Sequence, residues 1–415
     1  MINITFVCSH FYHIYFYLWS LNGYVRETRV YKGVEHTSVY QRYLLLDIIG
    51  DASMILNFGC WWGWKPGRGL AIAIASLLGF TGVSYAGVAL RSPWDGKAVK
   101  ASGLAYACPA GVHLPVDFVT DGFYALNDPT HSIVDPARMK AYAASSGPVK
   151  QDGNEVVAAA DAYRTTGSVS AARCAIAHIE ANARGRALTG KMSSNQAYYV
   201  QGWVLGAEAI AYLKVRDSGA VSPEQAAVIL PWMKQVAQQA RDYYDAKEKK
   251  DGASSLNNHD YWAAVELGAV GIAANDQMDF DWAMKAARSG IAAIRSDGTL
   301  PEEMRRGTRA LHYHLYAAAP LVMLAELGEP NGAGLYAASD GALKRLVRVS
   351  TAGLLDPSLF EKTTGIRQEV PVPPTGEAIG WARPFNRRFP DATITKLLRE
   401  CPNLSYMYLG GLPPE

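Results

Sequence analysis

The stretch "NNHDYWAAVELGAVGIAAND", residues 257–276, opens on two amides and an imidazole, continues through an alanine-rich apolar run and closes on Asn-Asp. That is the order of an N-cap, a helix and a helix stop, with Asn257 as the cap. From about Asn154 onward the same pattern recurs in "EVVAAADAYRTT", "VSAARCAIAHIEANARG", "NQAYYVQGWVLGAEAIAYLKVR", "SPEQAAVILPWMKQVAQQARDYYDAKE", "DFDWAMKAARSGIAAIRS", "PEEMRRGTRALHYHLYAAAPLVMLAELG" and "GALKRLVRVSTAGLL". These segments are helix-periodic and separated by Gly, Asp, Pro or Ser, while alternating strand patterns are almost absent. Pro223 and Pro301 open helices at a position where a missing N–H costs nothing, and Pro231 and Pro320 are expected to kink theirs. Many antiparallel helices with short loops imply a bundle, a solenoid or a toroid, and the lack of a fixed period argues against a regular solenoid. The expected fold is therefore all-α, an incomplete (α/α) toroid of antiparallel helical hairpins with a central groove, over residues 151–415. Residues 87–150 read as an irregular segment rich in Gly, Pro and Asp. The tail "RQEVPVPPTGEAIGWARPFNRRFP" is expected to wrap the surface before a last short helix over 391–400.

The 415 residues carry a net charge of only +2, scattered in both signs, which leaves no nucleic-acid or membrane-surface footprint. Residues 1–64 are aromatic-rich, show neither helical nor strand periodicity over a useful length, and read as a non-native extension. The segment 65–86 follows the layout of a signal peptide, in which Lys65 and Arg68 precede an apolar run ending in Ser84-Tyr85-Ala86. That run is too short for a confident membrane span, so the mature chain is expected in the periplasm or outside the cell, without stable membrane insertion. Residues 1–86 hold six Lys/Arg and four Asp/Glu, which leaves 34 of each sign in the exported part. Cys108, Cys174 and Cys401 remain there. They allow one intramolecular disulfide at most, in a pairing the sequence leaves open, and with no Cys/His cluster at ligand spacing neither a metal site nor a cofactor is expected.

The second concentration of reactive residue types is "RRGTRALHYHLY", residues 305–316. In a helix opening at Pro301, Arg306, Arg309, Tyr313 and Tyr316 form one stripe, flanked by His312 and His314. Arginines lying over a core face with tyrosines beneath would explain it, yet cations mixed with phenols also suit the wall of an anionic groove. If Asn258 and His259 share that groove, the set holds an amide donor, a fixed cation, a base and a phenol, but no Ser or Cys nucleophile with a partner. Such an inventory suits removal of a proton alpha to a carboxylate, because that proton is not acidic until the carboxylate charge is masked. On a 4-linked uronic acid polymer the outcome is β-elimination. A glycoside hydrolase would need two carboxylates across the scissile bond, and Glu302 and Glu303, the acids near the stripe, are accounted for as first-turn residues of a helix. A polymer-binding protein without catalysis is a third reading.

The chain also resembles the mannuronate-specific alginate lyases of polysaccharide lyase family five. The resemblance rests on "NNHDYWAA" at 257–264, on "DFDWAMKAARSGIAAIRSDGTLPEEMRRGTRALHYHLYAAAPLVMLAE" at 279–326 and, more loosely, on the closing "YLGG". It implies a secreted or periplasmic α/α toroid working without a metal, in which Asn258 and Arg306 neutralise the substrate carboxylate. It further implies that His259 serves as base or assists it and that Tyr313 protonates the bridging oxygen. The family's N-terminal lysine, near a "KYEGSD"-like stretch, has no counterpart in "DGFYALNDPTHSIVDP" at 121–136, where Tyr124 or His131 would contact substrate instead. Polymers of glucuronate, including hyaluronan, remain open as substrates. Mannuronate and glucuronate share configuration at C4 and C5, so one syn elimination serves both, and guluronate is disfavoured. Arg309 and Tyr316 are expected to bind substrate. Tyr199, Gln201, Trp203 and Trp381 are candidates for the same role, with core packing as the competing explanation. The expected partner is an anionic polysaccharide, bound by a monomer.

Overall fold

The computed structural model describes residues 89–252 and 257–415, together with the backbone of three strands near the N-terminus. The chain divides into two compact units, Met1–Val83 and Ser84–Glu415. In the first, β1 (Tyr15–Trp19), β2 (Val25–Tyr31) and β3 (Val34–Tyr40) form an antiparallel meander in which Val25 stands opposite Trp19 on one side and Tyr40 on the other. These strands are compatible with the lack of strand periodicity over a useful length in residues 1–64. β1 is an unbroken aromatic-aliphatic run without alternation, and β2 and β3 alternate too briefly to register alone. The expected signal segment, 65–86, lies outside the described residues.

The second unit is helical. The first six helices each begin on a side-chain cap that accepts an N–H left unpaired by the first turn: Asp135 for α1 (Pro136–Thr166), Ser168 for α2 (Val169–Arg184), Ser194 for α3 (Asn195–Val215), Ser222 for α4 (Pro223–Asp251), Asn257 for α5 (Asn258–Ala274) and Asp276 for α6 (Gln277–Ala292). There follow a single turn α7 (Pro301–Met304), then α8 (Ala310–Gly328), α9 (Ala338–Gly353), α10 (Ser358–Thr364), α11 (Ala382–Arg388) and α12 (Ala392–Glu400). α4 and α8 continue through Pro231 and Pro320.

Two layers result. The inner row is α1, α3, α5 and α8, each packed on the next, and the outer row is α2, α4, α6 and α9. The division follows from composition: α3, α5 and α8 are buried on nearly every face, whereas α2, α6 and α9 bury one stripe and show the other to solvent. Close approach of α3 to α5 depends on Gly206, where a Cβ would stand 3.3 Å from the Glu266 Cα. This is the incomplete α/α toroid expected from the sequence.

Three local expectations fail. Residues 87–150 are not irregular throughout, because α1 starts at Pro136 and passes Gly147-Pro148 without stopping. That pair reads as a breaker, but Val149, Gly153 and Val156 are buried against neighbouring elements and packing overrides it. The helix expected from Pro301 is also divided: α7 ends at Met304, a 3-10 turn covers Gly307–Arg309, and Gly307 adopts φ 55°, a conformation that favours glycine. Arg306 therefore lies in a turn, out of helical register with Tyr313. The tail, in addition to α12, contains α11 and a π turn at Gly376–Gly380.

The C-terminus does not merely wrap the surface. Met407–Leu409 packs against α1, α3 and α8, and the buried Lys214 ammonium holds Gly410 O at 2.5 Å, Leu412 O at 2.8 Å and the Asp161 carboxylate at 2.5 Å. This seats Tyr408 inside the groove between the inner helices. Cys108 and Cys174 form a disulfide that ties the N-terminal segment to α2, and Cys401 is a buried free thiol. Among the described residues no helix is long and apolar enough to cross a membrane.

Candidate active site

A cavity of about 970 Å³ opens between the inner helices. Asn258 and His259 reach it from the first turn of α5, Arg306 and Arg309 from the turn between α7 and α8, Tyr313 and Tyr316 from α8, and Tyr199 and Trp203 from α3. Tyr124 and His131 enter from the segment preceding α1. Ten of the residues expected at the site thus line one cavity, although they come from segments up to 192 positions apart, Tyr124 to Tyr316.

The 124–134 segment is shaped by Asp128, whose carboxylate accepts from the backbone N–H groups of Thr130, Ser132 and Ile133 and from the Thr130 hydroxyl. These bonds hold the Asp128 carboxyl far below the usual carboxylate range. They also present the carbonyls of Thr130 and His131 to Arg306, which donates to them from Nε at 2.9 Å and Nη2 at 2.7 Å. The same guanidinium lies 3.4 Å above the centre of the Tyr313 ring. The Tyr313 hydroxyl is 2.6 Å from that of Tyr124, which accepts from Arg309 Nη1 at 2.6 Å. Burial raises the Tyr313 pKa well beyond that of a free phenol, although Arg306 opposes the shift, so the hydroxyl keeps its proton at neutral pH.

His259 stacks on Tyr199 with ring centroids 3.7 Å apart and planes 9° from parallel. Burial first, then the charges of Lys247 and Arg306, lower its pKa to about 3, so the imidazole is neutral and able to accept a proton. His312 is likewise depressed, to about 4, by burial and by Arg309 and Arg306. His314 plays no part in the cavity: its Nε2 accepts from Leu300 N at 2.9 Å and its Nδ1 donates to Ala310 O at 2.7 Å. It is a satisfied core histidine that fixes the start of α7.

Asn257 caps α5 as expected, accepting from His259 N. Asn258 bonds Glu303, whose Oε1 accepts from the Asn258 backbone N–H and whose two oxygens each stand 3.0 Å from Nδ2. Burial raises the Glu303 pKa to about 7 against the lowering effects of Asn258 and Arg306. Folding is therefore penalised as pH climbs from the unfolded value of 4.5 through about 7, and the penalty is complete above 7. Glu303→Gln is expected to gain up to ~3 kcal/mol of stability relative to wild type at pH 8 and little at pH 4, as read by denaturant unfolding at the two pH values.

The family model described as alginate lyase matches residues 122–360, a span that contains every residue of the constellation just described. The chain belongs to the alginate lyase family. A polysaccharide lyase of Stenotrophomonas maltophilia strain K279a is 36% identical over 291 residues, covering 69% of this chain and 84% of that protein. An alginate lyase of Azotobacter vinelandii strain DJ is 31% identical over 329 residues, covering 76% and 86%. Among solved structures, alginate lyase A1-III from Sphingomonas species A1 superposes with a TM-score of 0.63 at 23% identity, covering 74% of this chain and 86% of that one, which establishes the shared fold.

Two of the residues expected to touch substrate in this alginate lyase do not reach the cavity. Gln201 is fully buried, donating to Leu188 O at 2.8 Å and to Gln239 Oε1 at 3.0 Å, and so ties α3 to α4 and to the loop before α3. Trp381 is 2% exposed and donates from Nε1 to Glu377 O, in the core beneath the π turn. Both face inward because the elements carrying them are buried on nearly all sides, which helical spacing alone does not reveal. Conversely, Arg138, Tyr142 and Lys150 of α1 line the cavity although no local signal in the Gly- and Pro-interrupted sequence of that stretch points to them. Glu377 of the tail and Tyr408, the first residue of the closing "YLGG", also line the cavity.

Proposed function

We propose that this alginate lyase cleaves 4-linked polyuronates, with polymannuronate as the preferred substrate, by syn β-elimination. The supporting observation is the placement of a neutral imidazole, His259, and a protonated phenol, Tyr313, in one cavity with the Arg306 guanidinium 3.4 Å above the phenol ring. Arg306 and Asn258 bind the carboxylate of the sugar and stabilise the charge that develops on it. His259 takes or assists removal of the C5 proton. The C5–H electrons become the C4=C5 double bond, the C4–O bond breaks, and Tyr313 delivers its proton to the departing bridging oxygen. Arg309, Tyr316, Tyr124, His131, Tyr199 and Trp203 would bind flanking parts of the polymer, and Arg138 and Lys150 add positive charge to the same cavity.

Incubation of residues 87–415 with polymannuronate, polyguluronate, glucuronan and hyaluronan tests the reading. Elimination leaves an unsaturated uronate that absorbs in the near ultraviolet, greatest on polymannuronate. Hydrolysis without that chromophore would indicate a glycoside hydrolase, and binding without cleavage a polymer-binding protein. Arg306→Ala is expected to lower kcat/KM by about 10³-fold through both a higher KM and a lower kcat, since the charge it masks is present before and during the reaction. Arg306→Lys should recover only part of the loss, as an ammonium cannot reproduce the two-pronged geometry.

We also propose that residues 1–64 are a non-native extension, that 65–86 direct export, and that the mature enzyme acts as a periplasmic or secreted monomer. The Cys108–Cys174 disulfide supports passage through an oxidising compartment. Mass spectrometry of the exported protein is expected to place its first residue at or near Gly87.

A further inference from the structure

We infer that Glu303 is a positioning residue for the elimination, holding the Asn258 carboxamide with its nitrogen directed at the sugar carboxylate. The inference rests on the polyuronate lyase reading above. Asn258 is 1% exposed and Glu303 2%, and they meet through three contacts of 3.0 Å. A carboxamide is nearly symmetrical in shape, so only its hydrogen-bond partners decide whether oxygen or nitrogen faces a ligand. For an anionic ligand the choice matters, because the oxygen repels it and the nitrogen donates to it.

Glu303 makes that choice. Its Oε1 accepts from the Asn258 backbone N–H, which fixes the carboxyl against the start of α5, and both of its oxygens stand 3.0 Å from Nδ2, so the amide nitrogen is drawn to the Glu303 side. The two carboxylate oxygens subtend a far smaller angle at Nδ2 than the two N–H bonds do. A single hydrogen is therefore shared between them, and the second remains for the substrate. Asn258 Oδ1 is buried with no partner among the described residues, so nothing on the opposite side of the amide would restore the orientation if Glu303 were lost. Arg306, three residues along, offsets the charge that Glu303 brings near an anionic substrate. A simpler role, an acid that only satisfies a free N–H at the start of α5, would account for the backbone bond but predicts no link between Glu303 and turnover.

A double-mutant cycle on polymannuronate separates the two. Glu303→Ala is expected to lower kcat about 100-fold in the wild-type background, comparable to loss of an oriented donor, and less than about threefold when Asn258 is already Ala. Glu303→Gln keeps an acceptor in place of Oε1 and should recover kcat to within about fivefold of wild type. If Glu303→Ala does not fold, Glu303→Asp carries the test, since it withdraws the carboxylate by one methylene while keeping its charge, with about a tenfold loss expected that vanishes beside Asn258→Ala. Wild-type kcat in Glu303→Ala or in its Asp substitute, losses that multiply across the cycle, or a Gln variant as impaired as Ala would each overturn the inference. A wild-type enzyme inactive on every polyuronate would instead overturn the substrate reading and the inference with it.

Discussion

Tyr313→Phe is expected to reduce kcat on polymannuronate by about 10³-fold, within the range that a positioned general acid contributes, while the melting temperature stays close to that of wild type. The phenol hydroxyl lines the cavity with its proton held firmly at neutral pH and a hydrogen-bonded neighbour beside it. Its pKa is raised by burial, and Tyr124 Oη stands 2.6 Å away. Phenylalanine preserves the ring on which the Arg306 guanidinium rests, so the cation–π contact survives. The lost hydroxyl does not strand its partner either, because Tyr124 still accepts from Arg309. Removing a hydrogen bond whose partner stays satisfied costs about 1 kcal/mol or less. A loss of turnover far larger than the loss of stability is thus the signature to look for. Initial rates within threefold of wild type would show that the bridging oxygen receives its proton elsewhere.

His259→Ala is expected to cost about 10²- to 10⁴-fold in kcat, the range of a general base, with a circular dichroism spectrum like that of wild type. The ring lines the cavity and stacks on Tyr199 of α3. The depressed pKa gives a second measurement. Burial and the nearby Lys247 and Arg306 charges hold the imidazole neutral until pH falls toward about 3. Nuclear magnetic resonance should therefore show no protonation of His259 between pH 5 and 8, where an ordinary histidine would titrate. A titration near pH 6.5 would mean that the ring is solvated and that burial does not hold it neutral.

Asn258, His259, Arg306 and Tyr313 were legible before the fold because each lies beside a local signal: a cap ahead of an apolar run, or basic and aromatic residues crowded into one short stretch. Their convergence on one cavity is a matter of tertiary packing, and helical register does not bring it about. The helical stripe from Arg306 to Tyr316 does not exist, since the backbone turns at Gly307 and re-enters a helix at Ala310. The four side chains meet through that turn rather than through the 3.6-residue period. Glu303 was passed over for a related reason. An acid in a first helical turn has a sufficient local explanation, and its partner Asn258 is 45 positions away.

Periodicity, capping and proline placement were enough for an all-helical toroid, because helix formation and the burial of an apolar stripe depend on near neighbours. The two segments proposed to carry the reaction stand out instead by their crowded reactive residue types and by the resemblance to the family. The three-dimensional packing alone decided that α1 runs through Gly147-Pro148, that Cys108 joins Cys174, that Gln201 and Trp381 face the core, and that the last residues reach into the groove under Lys214. Each of these depends on contacts between positions far apart in the chain, and helices buried on every side carry no amphipathic pattern from which their facing could be read.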